Sequence, residues 1–370
     1  MRNFLYNNIV SYDDITYVNG VGYASSATFN GLLRIEKDIA EIIGEFPGEH
    51  ISKITLHHKQ YLYKNKIYFM PDHAKSIHIY DLSTHNMRSI EFGNLEGYED
   101  PVRGVDSFIL GNLVYVFFEY ANNPILLINL EEECIVKTIV YSIPEELTSK
   151  RTIPLFNAPF SYFDGSIYAA VWKEKYFFKF IPTEEVAYFI KVETSLPLEQ
   201  MCVLDGKNFY FITEDSNILL HLLKKDSKYI TDYIVRDCRT LNNSFCNIIN
   251  FMGTIILVPN SGNYLCKVVN DEIIPYIKLP DNYGNSDLPR MEWRKHFSWS
   301  SKNEMLILCP YCANMKISIS IKRNVCEGEL IELDKYDYDL IKKKIFKSNF
   351  TNGIAKEKNA NDLEIFIENI

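Results

Sequence analysis

Arg290-Met291-Glu292-Trp293-Arg294 is the densest run of recognition chemistry in the chain, with His296 just beyond it. Guanidinium groups hold a carboxylate or phosphate through paired hydrogen bonds, and an indole beside them can stack on a sugar ring or a peptide side chain. Arg103, Arg151 and Arg239 are further guanidiniums in polar stretches, and Glu119, Trp172 and Glu214 sit between them in the sequence. The plain alternative is that these arginines pair with neighbouring Asp and Glu on a wet surface.

Six of the 8 histidines crowd into one stretch: His50, His57, His58, His73, His78 and His85. Neutral imidazoles suit a metal such as zinc. His57 and His58 are adjacent in a strand pattern, so they point to opposite faces. His78 and His85 are expected further out. That leaves His57 or His58, with His73 and Asp72, as residues that could converge on a metal, His57, His73 and Asp72 being the candidates, and ordinary packing or surface histidines as the preferred reading. No metal or other cofactor is expected.

Cys309-Pro310-Tyr311-Cys312 is a Cys-x-x-Cys string. Redox chemistry on such a string needs a following helix to lower a thiol pKa. Here Met315 to Ile321 reads as a strand, and no second pair completes a zinc site. A turn bearing two thiols is the expectation. Cys134, Cys202, Cys246 and Cys266 fall inside strand patterns and read as small buried hydrophobes. GxSxG, HExxH, a phosphate-binding Gly loop and a dinucleotide fingerprint are all missing, so the sequence points to no catalytic residue.

These groups must be positioned by something, and the chain repeats. The unit is clearest over Tyr63 to Phe92, YKNKIYFMPDHAKSIHIYDLSTHNMRSIEF. A turn at Lys64-Asn65-Lys66 leads into the apolar run Ile67 to Met70. A polar break then precedes a strand holding Ile77, Ile79 and Leu82, and an alternating strand runs over Met87 to Phe92. Ile51 to Leu62 supplies an inner strand, making a meander of four. The equivalent position recurs at Tyr23, Tyr68, Tyr115, Tyr168, Tyr210, Ile255 and Met305, at gaps of 45, 47, 53, 42, 45 and 50 residues. Periods of about 40–50 residues with four strands each mark the blades of a β-propeller. Gly20, Gly111-Asn112, Asp164-Gly165, Asp205-Gly206 and Met252-Gly253 fall at the inner hairpin of their units, where a tight turn needs positive φ.

The motifs YKNKIYFMP and IHIYDL resemble the kelch-like β-propeller repeats of uncharacterised bacterial proteins, over roughly residues 15–335. No unit keeps the paired glycine and the spaced Tyr and Trp of kelch repeats proper, and the Trp-Asp of WD repeats is missing. The resemblance therefore implies a fold and carries over no functional residue.

Composition agrees with one large all-β body. Tyr 25 and Phe 23 suit packing between twisted sheets, and Trp is scarce at 3. A net charge of −9 argues against binding nucleic acid. The N-terminus lacks the apolar core of a signal peptide, and no run is long enough to span a bilayer, so a cytoplasmic protein without membrane attachment is expected.

The sequence thus predicts an all-β, seven-bladed propeller of four-stranded antiparallel blades over residues 1–335, or six blades if an end unit is mis-parsed. Residues 336–370 form an appendage packed on it. Tyr338 to Lys347 reads as a helix. In NDLEIFIENI, Leu363, Phe366, Ile367 and Ile370 fit a helix behind Asn361, while Leu363, Ile365 and Ile367 also alternate as a strand would. The connections between blades and the loops between second and third strands share one face, around the mouth of the central channel. A binding module for a peptide, a protein or a small polar ligand at that mouth is the leading expectation. The alternative is a lyase or hydrolase acting on a saccharide or modified peptide with Arg, His and Glu from the same loops.

Overall fold

The structure is a computed structural model. It describes residues 12–92, 103–120, 123–148, 154–213, 219–225, 228–235, 244–261, 264–270, 272–279, 297–302, 305–310, 315–320, 323, 325–334, 337 and 339–345. The described strands form seven sheets, each built on an antiparallel meander of four successive strands. The fold is that of a seven-bladed, all-β propeller of four-stranded blades. No helix of the described residues is long and apolar enough to cross a membrane.

The unit read at Tyr63 to Phe92 is a four-stranded meander made of His57–Tyr63, Lys66–Pro71, Ser76–Asp81 and Met87–Glu91. Its second strand is buried along nearly its whole length, as expected of a run sandwiched between neighbouring sheets. Hairpin turns explain the register. Asn19 and Gly20, Asp164 and Gly165, and Met252 and Gly253 all take positive φ, so both central residues of each inner turn are left-handed. Asp205-Gly206 departs from this pattern. There the Asp205 carboxylate accepts from the N–H of Lys207 (2.8 Å) and of Asn208 (2.9 Å), and the side chain closes the turn instead.

The chain gathers into two compact units. One comprises Met1–Glu91, Cys309–Lys316 and Glu329–Ile370; the other comprises Phe92–Leu308 and Ile317–Gly328. In the first, Leu32, Phe46, Leu56, Ile67, Phe69 and Tyr80 pack the first two blades together. The first sheet also has a fifth strand that the sequence did not reveal. Glu332–Leu333 runs parallel to Ile39–Gly44, pairing with Ile39 and Ala40. Residues 337 and 339–345 are helical, so the helix expected over Tyr338 to Lys347 has helical residues from one position earlier.

In the second unit the seams are aromatic. Strand Tyr176–Ile181 sends alternate rings to opposite faces. Phe178 and Phe180 meet Phe117 of the preceding blade at 6.2 and 5.8 Å between ring centroids. Phe177 stacks on Phe209 of the following blade at 5.7 Å. One strand therefore belongs to two cores, which is how a blade too thin to bury both faces alone becomes stable.

Candidate functional site

The candidate site is a rim in the second unit, built where second strands end and the next blade begins. Strand Leu113–Phe118 delivers Glu119, whose N–H donates to the Arg103 carbonyl at 2.8 Å. The Glu119 carbonyl accepts from the N–H groups of Leu155 (2.7 Å) and Phe156 (3.2 Å). The Leu155 carbonyl accepts from Trp172 (2.8 Å), and Lys173 donates to the Leu198 carbonyl (2.7 Å). Leu198 in turn pairs with Thr213 at the end of Asn208–Thr213. Three successive blades are thus stitched along one edge, each loop holding the start of the following blade.

Side chains on this rim are polar and partly exposed. One guanidinium nitrogen of Arg103 donates to both carboxylate oxygens of Glu119, at 3.2 and 3.1 Å. The Glu119 side chain is only 10% exposed, against 31% for Arg103, so the charge pair sits with its anion sheltered and its cation reaching outward. Lys173 takes φ 60° and carries its ammonium 5.1 Å from the centroid of the Trp172 ring. Further along, Gln200 and Thr213 are buried. The Gln200 amide nitrogen donates to the Ala158 carbonyl at 2.9 Å. Among the described residues, Gln200 Oε1 and Thr213 Oγ1 have no hydrogen-bond partner.

The histidines of the first unit divide into two arrangements. His57 and His78 form a buried relay between the first two blades. Ser25 Oγ lies 2.8 Å from His57 Nδ1, His57 Nε2 lies 2.8 Å from His78 Nδ1, and His78 Nε2 lies 3.0 Å from the Pro47 carbonyl. The carbonyl can only accept, so for neutral rings every proton is fixed. His78 Nε2–H donates to Pro47, His57 Nε2–H donates to His78, and the Ser25 hydroxyl donates to His57. Burial holds the His57 imidazolium form down well below the usual range, with the neighbouring His78, His58 and Lys53 adding to the effect. Burial lowers His78 as well, opposed by its bond to Pro47 and by Glu49. His78 is therefore not remote from His57, contrary to the expectation from its place in the third strand. Two strands of spacing amount to roughly 10 Å, which two facing imidazole side chains span.

Asp72 and His73 lie on the loop after the second strand of the same blade. His73 Nδ1 is 3.1 Å from Asp72 Oδ1 and 2.9 Å from Thr55 Oγ1, and the His73 side chain is 39% exposed. His57 is engaged with His78 and Ser25 rather than with this pair. The remaining histidines have separate partners: His58 with the Pro71 carbonyl, His50 with Ser52, and His85 with Tyr80. Among the described residues, no three His, Cys, Asp or Glu side chains gather closely enough to hold a metal ion.

Of the residues singled out in the sequence, Arg103 and Glu119 come together, and Trp172 joins them through Leu155. Arg151, Glu214, Arg239, Arg290, Trp293, Arg294, His296 and Cys312 lie outside the described residues. Cys309 falls in strand Met305–Pro310, so the Cys-x-x-Cys string begins inside a strand. Sequence reasoning missed Ser25, Lys173, Gln200 and Thr213. For Thr213 a signal existed: it is a polar residue closing the apolar run FYFI of strand NFYFIT, whereas Gln200, inside LEQMCV beside Glu199, gave none.

No protein-family model matches the chain, and no curated protein matches it. Solved structures do. Virginiamycin B lyase from Staphylococcus aureus is similar at 12% identity, with a TM-score of 0.56 over 83% of this chain and 93% of that one. YCF48 bound to D1 peptide is similar at 9% identity, with a TM-score of 0.56 over 83% of this chain and 93% of that one. A catalytically inactive form of the lyase, with Quinupristin, is similar at 12% identity, with a TM-score of 0.55 over 83% of this chain and 94% of that one. At these identities the likeness concerns the fold: this chain is similar to β-propellers of which one is named a lyase and another is bound to a peptide.

Proposed function

We propose that the protein is a non-catalytic binding module that takes a peptide, a protein segment or a small polar ligand on the loops at the mouth of its propeller. The observation that carries this reading is the rim of Arg103, Glu119, Trp172 and Lys173, where a sheltered ion pair is linked through the Leu155 backbone to a cation-covered indole. Such a surface offers outward positive charge and a flat ring on a backbone pinned by hydrogen bonds. That is the chemistry of an acidic or aromatic peptide segment. Arg290, Trp293, Arg294 and His296, with Arg151, Arg239 and Glu214, extend the same reading along the other mouth loops. The kelch-like character of the repeats and a cytoplasmic location belong to it too.

The test is selection of a displayed random peptide library on the full chain, followed by affinity measurement on the enriched peptides. Enrichment of carboxylate- and aromatic-bearing peptides is expected, with affinity falling about tenfold or more in Trp172→Ala and in the double variant Arg290→Ala/Arg294→Ala. Enriched peptides that bind all three proteins equally would place recognition on another face.

A second reading, a lyase or hydrolase acting on a saccharide or modified peptide, draws on Asp72 and His73. A carboxylate and a threonine on Nδ1 fix the tautomer and leave Nε2 for a substrate proton, the arrangement of a positioned general base. Turnover of a saccharide or cyclic peptide panel that is lost in His73→Gln would favour it over the binding reading.

A further inference from the structure

A groove of about 290 Å³ runs along the outer edge of the first blade, in the first unit. Ile42 and Ile43 line it from the strand, Leu340 and Ile341 from the helical residues 339–345, and Glu45 and Lys344 pair across its rim. Its formation follows from the short fifth strand. Glu332–Leu333 covers only Ile39 and Ala40, so the edge beyond them is left to the helix. Asp337 holds that helix in place by accepting from the Ile42 N–H at 2.7 Å. Ile341 is buried by the contact, yet Leu340 remains 40% exposed, an apolar side chain at the open lip. The volume lies at the bottom of the range for small-molecule pockets and suits a few anchoring side chains better.

We propose that this groove is the docking site of the chain's own residues 361–370, held there as an amphipathic helix. The division of the chain at 335/336 read from the sequence is part of this proposal. Three observations converge on that occupant. The described helical residues reach 345, and a linker of residues 346–360 can span up to about 50 Å when extended, enough for the segment to return to the groove. Leu363, Phe366, Ile367 and Ile370 recur at the spacing of one helical face behind Asn361, a favourable cap. The segment carries Asp362, Glu364 and Glu368 and no Lys or Arg, whereas the helix beside the groove carries Lys342, Lys343 and Lys344, the last paired with Glu45 on the rim. Apolar side chains thus meet an apolar lip, and acidic residues meet basic ones.

Hydrogen exchange on the full chain tests this. Amides of residues 363–370 are expected to exchange at least tenfold more slowly than an unprotected peptide. Phe366→Glu should release them and, reciprocally, speed exchange at residues 42–45. Leu340→Glu, a change at an exposed lip, should release residues 363–370 from the other side. Helical circular dichroism should fall in Phe366→Glu. The proposal is overturned if residues 363–370 exchange freely in the unaltered chain. It is also overturned if their protection survives both variants, since the segment would then dock elsewhere. Protection that rises with protein concentration would replace it with a second copy as the occupant, and an unchanged helical signal on release would replace the helix with an added strand.

Discussion

Ser25, His57 and His78 pass hydrogen bonds in one direction to a backbone carbonyl, and a relay of this kind has a pH signature. Both rings are held neutral inside the first unit, against Phe46 and Phe69, with His58, Lys53 and Glu49 as the charged or titratable groups that act on them. An unfolded chain takes up protons on these imidazoles near pH 6.5, whereas the folded chain resists. The folded state thus binds fewer protons between its own lowered pKa values and about 6.5. Stability is full above about pH 6.5 and falls as the pH drops through that window. The urea midpoint is therefore expected to decline from about pH 7 to 5, and the decline should shrink in the double variant His57→Leu/His78→Leu. His57→Leu alone strands the Ser25 hydroxyl and His78 Nδ1 in the core and should cost about 1–3 kcal/mol at neutral pH. An acid decline equally steep in the double variant would show that the relay does not set it. The relay escaped the sequence because its members stand 32 and 21 residues apart, the first pair meeting only once two blades pack and the second only across the intervening strand of one blade.

Between blades, the same latch appears twice. Asp14 accepts from its neighbour Ile15 N–H and from Gln60 N–H, each at 2.9 Å. Asp106 accepts from Ser107 N–H at 2.7 Å and from Phe160 N–H at 2.9 Å. In each case one carboxylate holds the N–H of its own neighbour and an N–H on the inner segment of the next blade, 46 residues on in the first case and 54 in the second. Removing it leaves a buried N–H without its acceptor. Asp106→Ala should lower unfolding free energy by about 1–3 kcal/mol, read as a fall in urea midpoint at constant slope. A shift within about 0.5 kcal/mol would mean that water or another acceptor replaces the carboxylate. The contrast with the hairpins explains what could be read in advance. Asn19-Gly20 and Asp164-Gly165 announce their turns because the φ requirement is local. A latch has no local requirement, since its partner lies a full repeat away and an Asp in or just before an inner strand resembles any polar residue there.

Over the whole molecule, the period was legible and the ligand chemistry was not, for one reason. Core positions recur because every blade needs apolar strands and left-handed turns at the same places, whereas recognition needs each loop to differ from its neighbours. Arg103 and Glu119 could be picked out as types, but their pairing depends on how the loop after Leu113–Phe118 folds back. Net charge, by contrast, is a property of the whole chain and supports a prediction without any loop geometry. At −9, with pI near 5.5, the protein repels a polyanion that approaches within the Debye length of about 8 Å at physiological salt. The basic run Lys342, Lys343 and Lys344 is the strongest local exception, and Lys344 is already paired with Glu45. Fluorescence anisotropy with labelled duplex DNA and single-stranded RNA is therefore expected to show no saturable binding at physiological salt. Micromolar binding that weakens steeply as salt is raised would contradict this. Loss of that binding in Lys342→Glu/Lys343→Glu would trace the contradiction to the helix at residues 339–345 and make its basic side a partner surface in its own right.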